Sequence, residues 1–188
     1  GPINANFFVF PEVSAPKPER VEAALQALNA LPVDRRWDGS ALTHPYVPDL
    51  STQLEPVWQQ RPAMVTFHFG IPPMAIIEKA HALGISVGIT ATCVAEAQAV
   101  KAAGANFIVA QGWEAGGHRG RFGSTGADQE QTVRVLVRAI GECVSLPVVA
   151  AGGLMTGADI AGVLSAGATA AQLGTAFLCC PETNASVS

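Results

Sequence analysis

The stretch HALGISVGITATCVAEAQAVKAAGANFIVAQ, His81–Gln111, decides the fold. It reads as a helix end, a glycine, an apolar strand, a second helix, a second glycine and a second strand. Gly84 and Gly104 each close a helix and are followed at once by a strand, at His81-Ala82-Leu83-Gly84-Ile85 and Lys101-Ala102-Ala103-Gly104-Ala105. Glycine just past a helix takes the left-handed conformation without a Cβ penalty. The device recurs at Leu164-Ser165-Ala166-Gly167-Ala168, so a helix–strand unit is repeated along the chain.

Working outward, six strands are predicted: Ile3 to Phe10, Ala63 to Phe69, Ile85 to Thr90, Asn106 to Gln111, Leu146 to Ala151 and Ala170 to Leu173. They are almost continuously apolar, as strands of a parallel sheet covered on both faces should be. Between them lie stretches of helical period, such as Val21, Ala24, Leu25 and Leu28, or Val133, Leu136, Val137 and Ile140, which are expected to pack outside the sheet. This alternation fits an open doubly wound sheet or part of an eight-stranded barrel. A complete (β/α)8 barrel usually takes about 250 residues, and the 188 present fall short of it. Leu31 to Pro62 carries five prolines, Pro32, Pro45, Pro48, Pro56 and Pro62, and reads as an irregular loop or lid with one short helix around Leu54 to Gln60.

Composition narrows the function. Hydrophobic residues make up 49% and charged residues 14%, which excludes intrinsic disorder and supports a single domain over 1–188. Eleven basic against fifteen acidic residues give a net charge of −4, with no basic surplus for a nucleic acid. No apolar run reaches the roughly 18 residues of a membrane span. The opening Gly1-Pro2-Ile3-Asn4-Ala5-Asn6-Phe7-Phe8 lacks a basic region and a cleavage site, so a cytoplasmic location is expected. Cys93, Cys143, Cys179 and Cys180 form no CxxC pair and have no histidine at ligand spacing, so buried free thiols and no metal are expected. The tryptophans and phenylalanines read as core and lid packing, and His44, His68 and His81 as structural or surface residues. No P-loop occurs, and no GxGxxG opens a helix after a strand.

Three runs carry chemistry. The first, Ala110-Gln111-Gly112-Trp113-Glu114-Ala115-Gly116-Gly117-His118-Arg119-Gly120, follows a strand and places four glycines where main chain can approach a ligand. His118 stands on the C-terminal side of that strand, where α/β enzymes place catalysis. A histidine, with a reference pKa of about 6.5, exchanges protons near neutral pH, and His118 is the candidate base. The alternative is a loop histidine bonded to a neighbouring carbonyl. The second run, Ala150-Ala151-Gly152-Gly153-Leu154-Met155-Thr156-Gly157-Ala158-Asp159, pairs Thr156 and Asp159 as a capping box and exposes amides at Gly152 and Gly153. The third, Gln172-Leu173-Gly174-Thr175-Ala176-Phe177, ends a strand in the same way. Two such turns on the last two strands point to a phosphorylated cofactor such as FMN.

With Val65-Thr66-Phe67-His68-Phe69-Gly70 and the opening segment, these runs resemble the bacterial nitronate monooxygenases, FMN-dependent enzymes of the (β/α)8 TIM-barrel type. The resemblance implies that the chain covers about six of the eight βα units. It implies flavin contacts at Asn6, Gln111, Gly116, Gly117, Gly152, Gly153, Gln172, Leu173, Gly174 and Thr175, and a catalytic base at His118. The implied reaction oxidises an alkyl nitronate, above all propionate 3-nitronate, with O2 to a carbonyl compound and nitrogen oxyanions. Its partners would be a small nitronate and O2, and the open sheet edges invite self-association. Two other readings stay open: a flavin-dependent NAD(P)H:quinone or enoyl-acyl-carrier-protein reductase, and a truncated barrel that serves as a non-catalytic module.

Overall fold

The computed structural model describes the chain except residues 12, 41, 42, 44, 124, 125, 179 and 184–188. His44, Cys179 and most of the polar tail therefore lie outside the described residues. Two compact units are present, one formed by Gly1–Val9 with Glu55–Ser188 and the other by Phe10–Leu54.

The larger unit is built on six parallel strands: β1 (Asn4–Phe8), β2 (Met64–His68), β3 (Ser86–Ala91), β4 (Phe107–Gln111), β5 (Val148–Ala151) and β6 (Ala170–Gln172). Five of them fall inside the predicted runs, and β3 runs one residue past its own, to Ala91. Their spatial order is their sequence order, β1 to β6. A doubly wound sheet reverses order at its switch point; this one never does, and it curls as a half-barrel. Helices α3 (Met74–Ala82), α4 (Val94–Ala102), α5 (Val133–Cys143) and α6 (Gly157–Ser165) alternate with the strands.

Burial follows position in the sheet. In β2, Val65 and Phe67 are fully buried and Thr66 nearly so, whereas β1 at the edge alternates exposed and half-buried residues. α5 buries Val133, Leu136, Val137 and Ile140, the stripe expected from its period, and packs on β4 and β5.

The three helix exits are alike. Gly84, Gly104 and Gly167 have φ of 73°, 83° and 106°. At each, the glycine N–H donates to the carbonyl three residues back and the next N–H to the carbonyl five back: Gly84 to His81 and Ile85 to Ala80, Gly104 to Lys101 and Ala105 to Val100, Gly167 to Leu164 and Ala168 to Val163. This is the Schellman arrangement. The apolar partners Ile85 with Ala80, Ala105 with Val100 and Ala168 with Val163 are buried. Thr156 and Asp159 form the expected capping box at the start of α6.

In the smaller unit, α1 (Pro18–Asn29) starts with proline in its first turn, and its Val21 and Leu25 are only half-buried. Asn29 fastens the following turn, donating to the Trp37 carbonyl at 2.9 Å and accepting its N–H at 2.8 Å. α2 (Leu50–Gln60) begins four residues earlier than expected from the sequence. Asp49 accounts for this, because its Oδ1 accepts both the N–H and the hydroxyl of Thr52 at 2.7 Å.

The cysteine expectation holds only in part. Cys93 is buried, but Cys143, beyond the apolar stripe of α5, is exposed and Cys180 is half-buried; all three are free thiols. Among the aromatics, Phe67 and Trp58 are core residues, while Trp113 is 50% and Phe8 40% exposed. Among the described residues, no helix is long and apolar enough to cross a membrane.

Candidate active site

The register of the sheet assembles the site. Gln111 pairs with Ala151 and Ala151 with Gln172, so three strand ends form one row, and Phe8 pairs with His68 two strands away. The glycine-rich loops start from this C-terminal edge, so their main chain lies directly over the strand ends.

Two adjoining cavities open there. One, of about 340 Å³, is lined by Gly116, Gly152, Gly153, Gly174 and Thr175 among others. The second, of about 300 Å³, is lined by Asn6, Phe8, Thr66, His68, Thr90 and His118 among others. Gln111, Gly117, Ala151 and Gln172 line both, which makes them two parts of one groove. Of the residues expected at a flavin site, only Leu173 lines neither part.

The glycine end suits a phosphorylated ligand. A Cβ added at Gly117 or Gly174 would meet nothing within 4 Å, so a side chain there would occupy the groove itself. The N–H groups of Gly117, Gly152, Gly153 and Gly174 donate to no group among the described residues. Gly152 and Gly153 have φ of 107° and 68°, and a Cβ on Gly153 would stand 2.6 Å from that of Glu114. Unpaired amides around an open wall form a cradle for an anion. An elongated groove of several hundred Å³ is of the size that holds a cofactor, so the residues present fit FMN. At the other end the Thr66 hydroxyl receives the Asn4 amide and donates to Asn6 Oδ1, both at 3.0 Å, which leaves the Asn6 N–H2 for a ligand.

His118 is exposed, with ring centroids 6.4 Å from Phe8 and 5.9 Å from Phe69. Phe69 has φ of 70°, a left-handed conformation rare for a bulky residue and often found beside functional sites. The loop carrying His118 is pinned at several points. Gln111 Nε2 donates to the His118 carbonyl at 2.8 Å and Gln111 Oε1 accepts the Gly120 N–H at 2.7 Å. The carboxamide expected to face flavin therefore also holds the loop. Arg119 forms a two-bond ion pair with Asp128, at 2.7 and 3.0 Å, and donates to the Gln111 carbonyl. The Arg119 guanidinium holds the Asp128 carboxyl down to about 2. Buried Glu96 accepts the Phe122 N–H at 2.7 Å, and Glu114 accepts the Val133 N–H at 2.9 Å.

His81 is exposed and bonds Asn106 at 3.0 Å, as expected of a surface residue. His68, read in the same way, differs. It lines the groove, and its Nε2 lies 3.0 Å from the His118 carbonyl and its Nδ1 3.0 Å from Thr90 Oγ1. Its place as the last residue of β2, at the edge where the site forms, was the available signal.

A parallel β/α half-barrel with a cofactor-sized groove at its strand ends is the architecture on which barrel enzymes build their active sites. The nitronate monooxygenase family model matches residues 1–188, and the chain belongs to that family of oxidoreductases. It is 49% identical over 134 residues to nitronate monooxygenase of Pseudomonas aeruginosa, covering 71% of this chain and 38% of that protein. With the Paraburkholderia phytofirmans enzyme it shares 48% over 126 residues, covering 67% and 34%. The chain thus spans well under half the length of these curated relatives. Among solved structures, nitroalkane oxidase from Streptomyces ansochromogenes superposes with a TM-score of 0.73 at 36% identity, covering 94% of this chain and 50% of that one. FabK from Thermotoga maritima gives 0.60 at 30% identity, covering 71% and 40%.

Proposed function

We propose that this chain forms the FMN-binding and base-bearing part of a cytoplasmic nitronate monooxygenase, which oxidises alkyl nitronates, propionate 3-nitronate above all, with O2 to a carbonyl compound and nitrite or nitrate. The observation that carries the reading is the groove in which open glycine walls and unpaired amides run into an aromatic cleft bearing His118. Gly116, Gly117, Gly152, Gly153, Gln172, Gly174 and Thr175 would hold the phosphate side of FMN, while Leu173, between them in sequence, lines neither part of the groove. Asn6 and Gln111 would offer amide groups to its ring system. FMN, when bound, supplies the electron transfer and the reaction with O2.

The chain's own residues handle protons and position. A His118 ring nitrogen takes the proton from the carbon beside the nitro group of a neutral nitroalkane, and the resulting imidazolium offsets the charge of the nitronate. Phe8 and Phe69 flank His118 and give a short alkyl chain an apolar wall. β1 and β6 are each paired on one side only among the described residues, and a second copy would add there.

The test is the visible spectrum of the purified chain after incubation with FMN, followed by oxygen uptake on adding propionate 3-nitronate. A bound-flavin spectrum with rapid uptake supports the reading. NADH consumption with a quinone and none with nitronate would assign a reductase instead, and a chain that stays colourless a non-catalytic module. In the FMN-loaded protein, His118→Ala should keep the flavin and lose roughly 10²- to 10⁴-fold in rate on neutral nitroalkanes. The anionic nitronate, which needs no deprotonation, should suffer less; equal losses would remove the base assignment.

A further inference from the structure

We propose that His68 is a positioning residue that fixes the main chain of His118, and that Thr90 sets the tautomer in which it does so. The proposal rests on reading His118 as the base. A carbonyl oxygen only accepts, so the 3.0 Å contact from His68 Nε2 to the His118 carbonyl places the proton on Nε2. In the neutral ring Nδ1 is then an acceptor, and the hydroxyl of buried Thr90, 3.0 Å away, is the donor that fills it. Burial pushes the His68 pKa down, which favours this neutral form.

The same carbonyl receives Gln111 Nε2, so two donors occupy it from two different strands. Two residues on, a Cβ at Gly120 would stand 2.3 Å from His68 Cε1 and 2.7 Å from Nδ1. The main chain therefore passes against the imidazole at a distance only glycine permits. Among its described residues the loop from β4 to α5 forms no helix or strand, and the exposed His118 ring depends on these contacts for the direction in which it leaves the chain. Proton abstraction needs the base within hydrogen-bond reach, and a displacement of about 1 Å can lower the rate on the order of 100-fold. Both His68 ring nitrogens are engaged, so His68 is not itself positioned to exchange a proton with substrate.

The full chain separates these roles through three variants. His68→Gln keeps an N–H near the position of Nε2, His68→Leu removes it, and Thr90→Val removes the hydroxyl while keeping the shape. Ring ¹⁵N shifts should report the Nε2–H tautomer for His68 in the wild type and a mixture in Thr90→Val; an Nδ1–H tautomer in the wild type overturns the proposal. Amide exchange at Arg119 and Gly120 should quicken in His68→Leu and stay near wild type in His68→Gln, and equal exchange in both overturns it. In the FMN-loaded chain, His68→Leu should lose roughly 10- to 100-fold in kcat/KM on a neutral nitroalkane, with less loss on the anion and recovery in His68→Gln. Adding His68→Leu to His118→Ala should change little further, because one acts through the other. A further large loss in that double variant would make His68 a direct participant. Failure of the His118 assignment would show in the neutral-to-anion ratio of His118→Ala while the exchange and tautomer results stood.

Discussion

Gly117 and Gly120 sit three residues apart and are expected to respond to alanine in opposite ways. At Gly120 the added Cβ meets the His68 ring at 2.3 Å and Thr90 Cγ2 at 2.8 Å. Overpacking of that kind costs about 1–3 kcal/mol, so Gly120→Ala should lower the urea midpoint and free the loop as His68→Leu does. At Gly117 the Cβ meets nothing within 4 Å. Gly117→Ala should therefore unfold like the wild type without FMN and bind FMN more weakly in a flavin titration. An unchanged FMN affinity would place the flavin away from the glycine wall.

At the scale of the element, the loop from Gly112 to Thr132 has few main-chain bonds of its own, Trp113 N–H to the Gln131 carbonyl and Ala115 N–H to that of Gly112 among them, and side chains supply much of the rest of its fastening. The Arg119–Asp128 pair is partly buried, and such pairs contribute up to about 1 kcal/mol. The Asp128 carboxyl, at 3.8 when unperturbed, is lowered to about 2. Its contribution is thus complete above pH 3.8 and is lost as pH falls toward 2. The urea midpoints of wild type and Asp128→Asn should differ at pH 5 and converge near pH 2. This element also marks how far the sequence could be read. The strands and helix exits were legible because apolar runs and the glycines at 84, 104 and 167 act within a few residues of themselves. The clasp on the loop was not, because His68 reaches His118 across 50 positions and Glu96 reaches Phe122 across 26, and no local period encodes either pairing. The members of the site were readable as glycine-rich strand ends; the role of His68 in holding them came only with the register of β2.

For the whole molecule, the sheet order from β1 to β6 has a consequence for how the barrel unit comes apart. Each strand pairs only with its neighbours in sequence, and α3, α4 and α6, each of nine residues, pack against strands adjacent to them in the chain. Such a sheet behaves as a one-dimensional array, in which stability sums over nearest neighbours as it does in repeat proteins. Native-state hydrogen exchange should be slowest in β3 and β4, which have neighbours on both sides and are almost wholly buried, and fastest in β1 and β6. If copies associate through their edges, protection in β1 and β6 should rise with protein concentration while β3 and β4 stay unchanged. Asn6 lies in β1 and Gln172 in β6, so the opposite walls of the groove stand on the two strands that unzip first. A ligand that bridges them would act as a staple across the ends of the array.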